Sequence, residues 1–221
     1  MSVYIHGGLR SPIGVLNGQY KHMRPEILGS QVIDEIINRY TISHIDGIFC
    51  GNAVGTGGNL GRLMGLMCNL PNSVPAITVD MQCASALMSI EIAYAHIVSG
   101  IMDSAIAGGI ESSSLQPERV YASGDDREGP YKVAQFTPQD QSPLAMLKGA
   151  ERTIHKYNVT KEDLYPHIIG SHQRASAALD NPYLQSYIMP ITIDGKRCID
   201  ECIRPTMNEK LLSRMKPLLG A

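Results

Sequence analysis

Thr78-Val-Asp-Met-Gln-Cys83-Ala-Ser-Ala-Leu-Met-Ser-Ile-Glu-Ile-Ala-Tyr-Ala-His96 is the stretch on which the reading of this chain turns. Ala76 to Val79 is a short apolar run ending in β-branched residues, as a buried strand requires. From Ala86 onward, Ala86, Leu87, Ile90, Ala93, Tyr94, Ile97 and Val98 recur at helical spacing. A strand therefore delivers Cys83 to the first turn of a helix. There the unpaired amides and the positive end of the helix dipole favour thiolate, the form that attacks a carbonyl carbon. The competing reading is packing, because free cysteine usually behaves as a small buried hydrophobe.

Working outward, strands and helices alternate. Val3 to His6 is expected to open as a strand, followed by the Arg10-Ser-Pro-Ile-Gly14 loop. Ile27, Leu28, Val32, Ile33, Ile36 and Ile37 predict a helix over Pro25 to Tyr40, and Ile45 to Cys50 a second strand. Gly51, Gly55, Gly57, Gly58 and Gly61 mark a loop with unusual backbone angles, read as structural because no phosphate-binding glycine motif is complete. A helix over Arg62 to Cys68 and a strand over Asp103 to Ala107 follow. This alternation places residues 1–116 in the α/β class, a sheet covered by helices. From Pro117 to Pro143 the chain turns polar and rich in turn residues. Helices are then expected over Ala145 to Tyr157 and Leu164 to Leu179, the latter preceded by a Thr160–Asp163 cap, and a strand over Ile188 to Ile193.

Composition narrows the function classes. The 221 residues are 43% hydrophobic and 18% charged, enough to build a core. The 19 basic and 21 acidic residues are interspersed, giving net charge −2 and no global field for nucleic acid or anionic membrane. No apolar run reaches bilayer length, and the N-terminus has no signal-peptide pattern, so a cytoplasmic location is expected. Five scattered cysteines, Cys50, Cys68, Cys83, Cys198 and Cys202, suggest reduced thiols rather than a disulfide frame, and no zinc-like pairing is present. No metal site is expected.

Several segments, in order along the chain, resemble the thiolases, enzymes that make or cleave 3-ketoacyl-CoA. Arg10-Ser-Pro-Ile-Gly14 is similar to the family's R-[TS]-P-[IF]-G, and Gly51-Asn52 with Arg62 to its G-N-V…A-R segment. Cys83-Ala-Ser-Ala86 resembles the nucleophile segment C-[GA]-S-G, with Ala86 where glycine is usual. Ala107-Gly-Gly-Ile-Glu-Ser-Ser113 resembles A-G-G-x-E-S-M, and Met146-Leu-Lys-Gly-Ala-Glu151 resembles M-G-x-[TS]-A-E. Ser171-His-Gln-Arg-Ala175, Ile203-Arg-Pro205 and Met215-Lys-Pro217 match further family segments.

The resemblance implies a layered α-β-α-β-α architecture, of which this chain supplies the first half (1–116) and the coenzyme A-binding loop domain (117–221). It implies Cys83 as the residue that takes the acyl group, Arg204 near the nucleotide portion of coenzyme A, and Met146 lining the acyl or pantetheine pocket. Acyl-CoA enters as a substrate, with no tightly bound cofactor. The family's G-H-P histidine, C-x-G-G cysteine and N-E-A-F asparagine do not occur in these 221 residues. A positioned acid/base typically contributes about 10²–10⁴-fold, so a partner is expected: a thiolase C-terminal half or a full-length relative, within a homo-oligomer. Without it, an exposed apolar face and open sheet edge are expected. The alternative is a non-catalytic thiolase fragment that at most binds coenzyme A or such a relative.

Overall fold

In the computed structural model, residues 2–55, 57–138 and 142–219 are described; Thr56 of the glycine loop and Gln139, Asp140 and Gln141 of the polar excursion lie outside them. The chain forms two compact units, Met1–Pro117 with Ser186–Cys202, and Glu118–Gln185 with Ile203–Ala221.

The first unit is built on three parallel strands. Helix α1 (Pro25–Arg39) starts on a proline, whose fixed φ suits a first helical position, and leads to β1 (Gly47–Gly51). Helix α2 (Leu60–Met67) follows, capped by the Asn59 side chain accepting from Arg62 N–H. Next come β2 (Ala76–Val79), a 3₁₀ turn over Gln82–Ala84, α3 (Ser85–Val98) and β3 (Ala105–Gly109). The sheet order is β2-β1-β3, with Ile48 opposite Ala76 on one side and Ile106 on the other. All five β1 residues are buried, because helices cover both faces. Strand alternation sorts them. Ile48 and Cys50 pack with Ile33, Met64, Cys68 and Val74, while Phe49 meets His96 of α3, with ring centroids 5.1 Å apart.

Two expected strands differ. Val3 to His6 forms no strand, and Tyr4 and Ile5 are exposed, because no neighbouring strand completes a ladder there among the described residues. Of Ile188 to Ile193, only Thr192–Ile193 is strand, paired with Lys196–Arg197. Pro190 lacks the donor that would continue it, so Ile188 makes a single bridge to Arg10. Asp194 (φ 50°) and Gly195 (φ 74°) supply the left-handed pair of a tight hairpin turn.

The Arg10 loop is held by carboxylates from residues 200–201 of the same unit. Arg10 grips Asp200 through two hydrogen bonds of 2.8 and 2.7 Å, and Asp200 also accepts from Ile13 N–H at 2.7 Å. Glu201 accepts from Val15 N–H at 2.9 Å. The arginine pair holds the Asp200 carboxyl below the ordinary carboxylate range.

The second unit carries α4 (Ala145–Tyr157) and α5 (Lys161–Leu179). Thr160 and Asp163 form a full capping box at the start of α5, as an aspartate there also reaches back. Tyr165, Met207 and Leu212 form its small buried cluster.

Candidate active site

Cys83 is exposed, and it sits in the 3₁₀ turn joining β2 to α3, at the carboxyl end of a parallel sheet. That end of such sheets is where ligand crevices form. Cys50, Cys68 and Cys198 are buried, and burial pushes the Cys50 thiol up to about 11. Cys202 is exposed as well. The sulfur on which the sequence reading rests therefore lies outside the core.

Small residues bring α3 this close to the sheet. A Cβ built on Gly51 would lie 2.4 Å from Ala86 N and 2.5 Å from Ser85 C; one on Gly109 would lie 2.9 Å from Ala86 Cβ. The face of α3 turned to the sheet is correspondingly small: Ser85, Ser89 and Ala93 are its buried residues. The single O–H of Ser89 is shared between Ala86 O (2.7 Å) and Gly108 O (2.9 Å), tying the helix to β3. The large apolar residues of the helical pattern face the other way. Leu87, Ile90, Tyr94 and Val98 are exposed, Leu87 at 68% and Tyr94 at 55%. Glycine-ended strands accept only a smooth helix face, so the bulky face is left outward. The Ala86 methyl lies against Gly109, so the departure from the family's glycine bears on sheet packing.

The strand ends around this turn are tied together. Asn52 N–H donates to Val79 O at 3.0 Å, and Ile110 N–H donates to Gly51 O at 3.0 Å. Glu111 accepts from Ala53 N–H, Val54 N–H and Asn52 Nδ2 at 3.0, 2.7 and 3.1 Å, anchoring the start of the glycine loop. Farther along that loop, Gly57 (φ 77°) and Gly58 (φ 71°) adopt the left-handed backbone expected there. Arg62 donates to Val74 O and Asn72 O at 2.6 and 2.7 Å, a structural role.

Met146 is exposed in the first turn of α4. Arg204 is exposed, and its backbone N–H donates to His172 Nδ1 at 3.3 Å. His172 thus helps place the Arg204 backbone. Cys83 lies in the first unit, and Met146 and Arg204 lie in the second. Among the described residues, no group of three or more His, Cys, Asp or Glu side chains could hold a metal ion, and no helix is long and apolar enough to cross a membrane. Sequence reasoning read Gly51, Gly109 and Ser85 only as members of a loop or of matched segments; their packing role depends on which backbone atoms the fold sets against them.

Residues 3–220 match the family model of the thiolase N-terminal domain. The chain belongs to the thiolase family. It is 34% identical over 223 residues to the Staphylococcus epidermidis protein named "Putative acetyl-CoA C-acetyltransferase VraB", an alignment spanning 96% of this chain and 57% of that protein. A Staphylococcus aureus protein of the same name is 32% identical over 217 residues, with 95% and 57% covered. Among solved structures, the Bacillus anthracis acetyl-CoA acetyltransferase superposes with a TM-score of 0.79 at 24% identity, covering 96% of this chain and 58% of that one. That likeness shows the thiolase fold. This thiolase-family chain spans a little over half the length of the relatives it matches.

Proposed function

We propose that this chain is the nucleophile-bearing half of a thiolase-type acyltransferase that forms or cleaves 3-ketoacyl-CoA. Cys83 is the nucleophile: its thiolate attacks the thioester carbonyl of an acyl-CoA, a new sulfur–carbon bond forms, and the coenzyme A thiolate leaves. The Cys83 backbone N–H helps hold the oxyanion that develops in that step. The α-carbon of a second acyl-CoA then attacks the acyl-cysteine after losing a proton, and thiolysis is the reverse. The observation that carries this reading is the exposed cysteine at the mouth of α3, inside the segment that matches the family's nucleophile motif.

Within residues 117–221, of which Ser186–Cys202 belongs to the first unit, lies the coenzyme A-binding loop domain, with Arg204 toward the nucleotide portion and Met146 toward the acyl or pantetheine portion. Acid/base groups come from a second thiolase half, or from a full-length relative, in a cytoplasmic homo-oligomer. The outward stripe Leu87, Ile90, Tyr94, Val98 and Ile101, together with the edge position of β3, supports a requirement for such a partner. A second reading is a non-catalytic thiolase segment that at most binds coenzyme A or a full-length relative.

Incubation with acetyl-CoA followed by peptide mass spectrometry separates the two. The first reading expects an acetyl group on Cys83 that Cys83→Ser abolishes, and acetoacetyl-CoA thiolysis when a second half is added. No acetylation, with no turnover at any mixing ratio, leaves the non-catalytic reading standing.

A further inference from the structure

The turn that presents Cys83 contains an unusual backbone state. Gln82, directly before the cysteine, has φ 48°, in the left-handed region that residues with a side chain rarely adopt. Two side chains surround it. Ser85 Oγ donates to Gln82 O at 2.6 Å and accepts from Met81 N–H at 2.8 Å. Asp80 Oδ1 accepts from Gln82 N–H at 2.9 Å.

Ser85 is not acting as a helix cap. A capping hydroxyl accepts from amides two or three residues ahead, whereas this one, already inside α3, reaches backward and uses both donor and acceptor on the preceding turn. Its own backbone is seated on the sheet, since Ser85 C is one of the atoms nearest a Cβ built on Gly51. Ser85 is buried, whereas Asp80, Met81, Gln82 and Cys83 are all exposed. The strained backbone therefore adds no buried apolar contact. Its consequence is the presentation of the next residue, Cys83.

We infer that Ser85 and Asp80 are positioning residues for acyl transfer: they hold Gln82 left-handed and so fix the Cys83 thiol and amide at the mouth of α3. The inference rests on the reading of Cys83 as the nucleophile. Neither side chain touches the acyl group; both act through Gln82.

The test is the rate of iodoacetamide labelling at Cys83 divided by that at Cys202, an exposed thiol in the same molecule, read by peptide mass spectrometry. Wild type is expected to label Cys83 faster than Cys202. Ser85→Ala is expected to lower the ratio by roughly threefold to tenfold, the factor one net hydrogen bond is worth, and Asp80→Ala by a similar or smaller factor. Glycine adopts φ near 50° freely, so adding Gln82→Gly to Ser85→Ala is expected to restore the ratio, which simple loss of packing would not allow. Circular dichroism identifies any variant that fails to fold. If Ser85→Ala does not fold, the exposed Asp80→Ala decides. A wild-type ratio near one overturns the nucleophile reading itself. A raised wild-type ratio that neither substitution changes overturns only the positioning role.

Discussion

Gly51→Ala is the sharpest single perturbation of this structure. Gly51 ends the buried central strand, and a methyl there would sit 2.4 Å from Ala86 N and 2.5 Å from Ser85 C. Ordinary contact begins near 3.4 Å, so the start of α3 must retreat by about 1 Å. The atoms in the way are backbone, and no side-chain rotation relieves them. Overpacking of this kind costs about 1–3 kcal/mol, and rigid neighbours place Gly51→Ala toward the upper end. For a chain of this size that is a fall in Tm of roughly 5–10 °C. Gly108→Ala is the control, because a Cβ on Gly108 meets nothing within 4 Å, and it is expected to change stability by less than about 0.5 kcal/mol. Thermal melts of the three proteins, with Cys83 labelling rates at 25 °C, make the comparison. Because Ser85 carries the turn on its hydroxyl, Gly51→Ala is expected to slow Cys83 labelling even in molecules that remain folded. Equal Tm and equal labelling for Gly51→Ala and Gly108→Ala would refute the claim that helix-on-strand contact positions the cysteine.

Three further outcomes follow from the same geometry. Native alkylation at pH 8 is expected to modify Cys83 and Cys202 while sparing Cys50, Cys68 and Cys198 until denaturant is added; early labelling of Cys50, whose thiol burial raises to about 11, would contradict the packing of β1. The amides of Asp103 and Ser104, with His44, lower the Asp46 carboxyl to about 2. A group depressed below its unfolded value of 3.8 stabilises the fold above that pH and loses the contribution as pH falls toward 2. Asp200, lowered by Arg10, acts in the same direction, so urea midpoints measured from pH 6 to 2.5 should fall less steeply in Asp46→Asn than in wild type, and parallel curves would exclude this linkage. Thr160→Ala removes one arm of the capping box of α5 and is expected to cost about 1 kcal/mol in urea unfolding followed by circular dichroism; no change would mean the cap is not formed in solution.

Much of this was legible residue by residue. The strands at Gly47–Gly51, Ala76–Val79 and Ala105–Gly109 lie where short apolar runs lie in the sequence, and α4 begins and ends on its expected residues. Local pattern suffices there because each run is bounded by glycine, proline or a capping side chain that acts within a few residues. Val3 to His6 has an equally good strand pattern, yet it forms no strand, since a strand exists only with a neighbour to bond. Ile188 to Ile193 fails at Pro190, a local signal that its apolar character obscured.

The sequence alone determined the family, through ordered motifs around Cys83, and the α/β alternation, through periodicity, because both are encoded in spacing along the chain. Which face of α3 is buried was decided only in three dimensions. Periodicity marks Leu87, Ile90 and Tyr94 as apolar without saying what they meet, and it is the glycine ends of β1 and β3 that select the side of Ser85, Ser89 and Ala93. The same holds for the left-handed Gln82 and the hydroxyl that braces it. The helix-on-strand contacts depend on distances of a few tenths of an ångström between backbones far apart in sequence, and the brace on Gln82, though local, sets a left-handed angle that no residue pattern announces.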